Sequence, residues 1–156
     1  MKKLCMGIIV VLTTTGGCIP ITIEPGPSPL QAELDANRAK WAAMGLDDYE
    51  YNLFTGCSCP DRIVGPNIMT VSDGVVTGIR SAADGTPIEL EEGFFYPTID
   101  DLFDRIQRAF DGEVRGNAFS AQYDDEFGYP TSIYIDWVPE YADEESSYYA
   151  RDLVIP

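Results

Sequence analysis

The stretch NIMTVSDGVVTGIR, from Asn67 to Arg80, decides the fold. Two short β-prone runs, Asn67 to Ser72 and Val75 to Arg80, flank the dipeptide Asp73-Gly74. Asp-Gly supplies the two left-handed positions of a type I′ turn, whose twist matches that of paired strands. The stretch therefore reads as a β-hairpin, and a hairpin this tight implies an antiparallel sheet. Pairing across the turn puts apolar side chains on both faces. The hairpin alone does not say which face is buried.

Upstream, Asp48 to Cys59 reads as a strand. Tyr49, Tyr51, Leu53, Thr55, Cys57 and Cys59 fall on one side by the period of two. Before it, Leu30 to Met44 reads as a helix with Ser28 as N-cap and Gly45 just past its end. Leu30, Leu34, Trp41 and Met44 share a face that Asn37 interrupts. Downstream, Ser81 to Tyr96 is a polar loop. Thr98 then caps a second helix, with Asp101 at the N3 position of a capping box. Ile99, Leu102, Phe103, Ile106, Ala109 and Phe110 form its apolar stripe, which predicts burial of Phe103, Ile106 and Phe110. Asp100 and Asp101 suit the positive helix start, and Gly112 ends it.

Three more strands are expected after it: Ala118 to Tyr123, Thr131 to Trp137 and Ser147 to Ile155. The order is helix, three strands, helix, three strands. It predicts an α+β domain over residues 30–156, an antiparallel sheet of about six strands with both helices packed on one face. The second architecture in contention is a small closed barrel plugged by the helices. No internal repeat is visible.

The N-terminus is organised differently. Lys2 and Lys3 precede an apolar run from Met6 to Leu12, too short to span a bilayer as a stable helix. Thr15-Gly16-Gly17-Cys18 follows. This layout resembles a bacterial lipoprotein signal with its lipobox, although Thr15 stands where such signals prefer Leu. The resemblance implies that residues 1–17 are a removed signal peptide and that Cys18 becomes an acylated first residue. A plain secretory signal and an uncleaved anchor are the competing readings. Residues 18–29 carry Pro20, Pro25, Pro27 and Pro29 and read as a stiff, extended tether. Ile19, rather than Asp, follows the cysteine. The familiar sorting pattern would then send the protein to the outer membrane of a two-membrane cell.

Charge bounds the partners. The chain has 26 acidic and 10 basic residues and a formal net charge of −16, which loss of Lys2 and Lys3 makes more negative still. Such a surface repels nucleic acid and anionic headgroups, so nucleic-acid binding is not expected. Basic peptides, basic protein surfaces and cations remain as partners, with the lipid as the attachment to the membrane. Solubility is the plainer explanation of the acidity. The chain has no histidine. That removes the commonest general base, the Ser-His-Asp and Cys-His arrangements and the usual zinc and copper ligand sets. No catalytic residue and no cofactor is implied.

Cys57-Ser58-Cys59 is the sharpest local constellation. On a straight strand the two Cα atoms would lie about 6.6–7 Å apart, at the upper edge of disulfide geometry. A bond needs a kink, which Gly56 and Pro60 could supply. A structural disulfide, redox-active thiols, reduced thiols and a soft-metal site are all open. An oxidising compartment, with Cys5 removed and Cys18 acylated, makes the Cys57–Cys59 disulfide the expected state. Asp124 and Asp125 in one loop, and Asp143 and Glu144 in another, are weak calcium candidates if both loops lie at the same sheet end. Solvated acidic loops are the plainer reading. Tyr134, Tyr141, Tyr148 and Tyr149 could line a binding face, or simply pack.

Several segments, in this order and spacing, carry a further resemblance. They are Trp41 and Gly45, Asp48-Tyr49-Glu50-Tyr51, Cys57-Ser58-Cys59-Pro60, Val71 to Val76, Thr98 to Phe103, Tyr123-Asp124, Gly128 to Asp136, and Ala142 to Glu145. Together they resemble an exported bacterial family known as domain of unknown function 6174, over about Arg38 to Leu153. The resemblance implies a single exported domain with a characteristic Cys-x-Cys motif, and no activity. The expected function is therefore a non-enzymatic, lipid-anchored envelope domain that binds an unknown protein or peptide. The alternative is a thiol-disulfide redox protein using Cys57 and Cys59.

Overall fold

The structure is a computed structural model that describes residues 28–57, 64–113, 119–138, 140–141 and 143–156. The expected signal segment, Cys18, most of the expected tether and Cys59 lie outside the described residues.

Helix α1 spans Pro29–Ala42, with Ser28 accepting from the Gln31 amide at its start. The strands are β1 (Tyr49–Gly56), β2 (Asn67–Ser72), β3 (Val75–Ser81) and β4 (Pro87–Ile88). Helix α2 (Ile99–Arg108) continues into a π-helical turn, Ala109–Glu113. Strands β5 (Phe119–Tyr123), β6 (Pro130–Asp136) and β7 (Glu145–Val154) complete the chain. The sheet order is β4-β3-β2-β1-β7-β6-β5, antiparallel at every pairing. It is an open sheet of seven strands, not a closed barrel. The expected order gains one strand: β4 is a two-residue pairing with β3, inside what the sequence presents as a polar loop.

The topology is two meanders joined in the middle. β1 to β4 run outward to one edge. The chain then crosses through α2 to the opposite edge and runs inward from β5 to β7. Covering one face is thus the geometric consequence of a crossing between edges. Tyr49, Tyr51, Leu53, Met69, Val71, Ile79, Ile133, Ile135, Tyr148 and Ala150 point under the helices, joined by Leu34 and Trp41 from α1 and Ile99, Leu102, Phe103 and Ile106 from α2. A bulge settles the ambiguity of the hairpin. The register shifts between Thr70 and Val71, so that Met69 faces Ile79 and Val71 faces Val76, while Val75 is left exposed. Asp73 and Gly74 both adopt positive φ, 51° and 72°, as the turn requires. Phe110 is only partly buried, because it sits past the end of α2, where its ring meets Phe119 edge-on at 4.8 Å.

β1 holds the start of α2 through two tyrosines. The Tyr49 hydroxyl accepts from the Ile99 amide at 3.0 Å, satisfying one of the helix's orphan N–H groups. The Tyr51 hydroxyl donates to the Pro97 carbonyl. The capping box closes beside them: Thr98 Oγ1 accepts from the Asp101 amide, and Asp101 Oδ2 accepts from the Thr98 amide. Burial pushes the Tyr49 and Tyr51 phenols well above their ordinary pKa, and Tyr123 up to about 12. Because the unfolded chain releases these protons first, stability is kept below about pH 10 and is lost as pH rises beyond it. Melting temperature should therefore fall steeply above pH 10, and less steeply in a Tyr51→Phe variant. A flat profile through pH 11 would contradict this.

The other face of the sheet is open. A bidentate ion pair joins Arg80 to Glu50 at 2.7 and 2.8 Å, with Thr70 donating to the same carboxylate. These bonds hold the Glu50 carboxyl down at about 2. Phe54 and Tyr149 lie side by side on this face, ring centroids 5.9 Å apart, and Tyr134 is exposed nearby in register terms, one pair along β6 and β7.

Candidate functional site

β1 ends at Gly56, β6 ends at Asp136 and β7 begins at Glu145, so one sheet end gathers all three. The second half of α2 lies over this end. Between them is a cavity of about 280 Å³ lined by Thr55, Cys57, Phe94, Phe95, Arg105, Asp143, Glu144, Glu145, Ser146 and Tyr148. Thr55, Ser146 and Tyr148 are buried at its base, Arg105 is half-buried, and Phe94, Phe95 and the three carboxylates form an exposed rim. A second hollow of about 340 Å³, lined by Gly56, Cys57, Asp143, Glu145 and Ser147, adjoins it.

Arg105 is the organising group. Its guanidinium lies 4.5 Å from the Phe95 ring centroid, 5.2 Å from Trp137 and 5.5 Å from Tyr148, within cation–π range of all three. One terminal nitrogen donates to the Tyr148 hydroxyl at 2.7 Å. Its Nε is buried without a hydrogen-bond partner. Trp137 is itself fixed, since its Nε1 donates to Ser146 Oγ at 3.0 Å. Sequence reasoning missed this site. Arg105 borders the apolar stripe of α2, and the other parts come from a loop, two strand ends and a turn. The one local signal is a cation set beside that stripe.

The sequence-derived candidates divide. Cys57 is half-buried just beyond β1 and lines both hollows. Its sulfur does not stand as a free titrating thiol. Cys18 and Cys59 lie outside the described residues. Asp143 and Glu144 reach the cavity rim, with Asp143 at a positive φ of 69°. Asp124 and Asp125 do not join them. They sit in the β5–β6 turn, at the opposite end of β6, a strand length of roughly 20 Å away. The four-residue calcium arrangement is thereby corrected: an antiparallel meander places successive turns at alternate ends. Asp124 has a structural task instead, as its carboxylate accepts from the Glu126 and Phe127 amides and closes the turn. Among the described residues, no group of three His, Cys, Asp or Glu side chains is placed so that it could hold a metal ion. Tyr148 packs, Tyr134 and Tyr149 occupy the open face, and Tyr141 is exposed in a turn.

Many of the segments quoted for the family resemblance turn out to be structural. Trp41 meets Tyr49 edge-on at 5.3 Å, and its Nε1 donates to Asp100 at 3.4 Å. Asp48 accepts from the Asp73 amide and steadies the hairpin turn. Gly128 and Tyr129 bring the β5–β6 turn against α1, where Lys40 donates to the Asp125 carbonyl. The quoted residues that meet at the cavity are Cys57, Asp143, Glu144 and Glu145. No described helix is long and apolar enough to cross a membrane. No curated protein and no solved structure matches the chain. A family of unknown function, DUF6174, matches residues 33–155. That span takes in both meanders, α2 and the cavity, and the chain belongs to the DUF6174 family.

Proposed function

We propose that this chain is a lipid-anchored envelope domain whose work is binding. Cys18 carries the acyl chains, residues 18–29 space the domain from the membrane, and the cavity at the Cys57 end receives the ligand. In a two-membrane cell the anchor sits in the outer membrane. The observation that supports binding is the build of the cavity: buried hydroxyls and a caged arginine below, aromatic and carboxylate side chains above. Mass measurement of the mature protein tests the anchor. An unmodified Cys18, or an N-terminus elsewhere, would end that part of the proposal. Photo-crosslinking in intact cells tests the cavity, with the probe at Phe95 and a control at exposed Val75. Adducts specific to position 95 are expected; identical patterns from both positions would refute cavity binding.

A disulfide between Cys57 and Cys59 fits this reading as a clasp at the cavity wall. The redox alternative needs a stabilised thiolate. The carboxylates of Asp143, Glu144 and Glu145 share the hollows with Cys57 and would oppose one. Replacing both cysteines with Ser should cost about 1–3 kcal/mol, as expected for a small ring. Thiol labelling of the native protein without reductant should leave both residues unmodified. Rapid labelling, or turnover of a model disulfide, would move the weight to the redox reading.

A further inference from the structure

The geometry points to a free α-amino acid with an apolar side chain as the ligand of this cavity, its carboxylate on Arg105 and its ammonium group at the Asp143–Glu145 rim. The inference rests on the cavity being a binding site, as proposed above.

Among the described residues, Arg105 forms no ion pair, although the chain has 26 acidic residues against 10 basic ones. Among the same residues, its side-chain hydrogen bond goes to the Tyr148 hydroxyl. Three rings surround the guanidinium and restrict its contact with water, which strengthens its attraction for an anion. The rings also hold the fork in place, so a carboxylate would meet donors already oriented. The rim carries the opposite sign. Asp143, Glu144 and Glu145 are exposed at the mouth of the same hollow.

This separation of charge selects the ligand. A simple anion is repelled at the mouth, and a simple cation is repelled at the base. A zwitterion satisfies both ends at once. The hollow, about 280 Å³, is at the small end for ligand sites and suits a molecule of amino-acid size. Phe94 and Phe95 provide an apolar wall for the side chain, while the Thr55 and Ser146 hydroxyls line the base.

The test uses three probes on the full chain, read by titration calorimetry: DL-phenylalanine, N-acetyl-DL-phenylalanine and DL-phenylalaninamide. The first keeps both charges, the second only the carboxylate, the third only the ammonium group. The free amino acid should bind tightest, each blocked form about tenfold weaker or more, the loss expected for one charged hydrogen-bonded contact. Arg105→Gln should abolish binding of the free amino acid. Should that variant fail to fold, Glu144→Gln and Asp143→Asn at the exposed rim serve instead. They should weaken the free amino acid and the amide while sparing the N-acetyl form, at unchanged melting temperature. Equal affinity for all three probes, or no binding of any at millimolar concentration, overturns the zwitterion assignment. If position-95 crosslinks persist in that case, the cavity binds something else and only the ligand class is lost. If they vanish too, the binding reading goes with it.

Discussion

Phe103→Ala is expected to cost about 3–5 kcal/mol, a large share of the stability of a domain this size. Phe103 is 1% exposed at the centre of the α2 face. Its ring stacks on Tyr123, centroids 6.2 Å apart and planes 15° from parallel. Its other neighbour is charged: the Arg38 guanidinium lies 5.5 Å from the ring centroid and pairs with Asp104 at 3.0 Å. Truncation would remove the packing on Tyr123, leave a void between helix and sheet, and take the ring from a cation whose Nε and Nη2 are already buried without partners. Urea unfolding monitored by circular dichroism measures the loss. Phe103→Leu should recover most of it, because volume is largely kept. A loss below about 1 kcal/mol for the alanine variant would show that this stripe does not form the centre of the core.

Gly128→Ala should be nearly as damaging, by about 2–4 kcal/mol, although it adds only a single carbon, at a buried turn position facing α1. Gly128 has φ +81°, and a Cβ there would come within 2.7 Å of the Asn37 carbonyl oxygen and 3.1 Å of Lys40 Cβ. Both contacts belong to α1, and the oxygen is backbone, so neither rotates aside. The turn and the helix would have to part, loosening the contact of Trp41 with Tyr129. Gly85→Ala is the matched control. It has φ +75° but nothing within 4 Å, so it should show only the conformational cost of about 1–2 kcal/mol. Equal losses at the two positions would mean that the close approach to α1 contributes nothing.

The sequence reveals local features well and assembly poorly. The capping box at Thr98 and Asp101, the Asp73-Gly74 turn and the α2 stripe are each local in sequence, and all are present as expected except that Phe110, at the end of the stripe, is only partly buried. β4 was invisible because two residues cannot show a period; only β3 beside it makes Pro87–Ile88 a strand. The buried side of the hairpin depended on a bulge, which slips the register without any sign in the pattern of apolar residues. Asn37 looks like a flaw in the α1 stripe, yet its backbone carbonyl is the surface against which Gly128 packs. The cavity was illegible for a different reason. Its parts come from residues 55–57, 94–95, 105 and 143–148, too far apart along the chain for any local pattern to join them all. The acidic residues drew attention by their density, but only topology separates Asp143 and Glu144 from Asp124 and Asp125.

The placement of β7 has a consequence for how the chain reaches this state. β7 pairs with β1, joining residues roughly a hundred positions apart across the middle of the sheet. Each meander can form by short-range zipping as soon as its own strands exist. The two halves cannot dock until Glu145–Val154 is free of whatever is making or threading the chain. Until then β1 presents an open, unpaired edge, and so does β6. A stop shortly before Glu145 would not trim a margin of the sheet but split it down its centre, leaving two adhesive halves. Folding should accordingly be slow for a chain of this length, with the last step set by the arrival of the C-terminal strand.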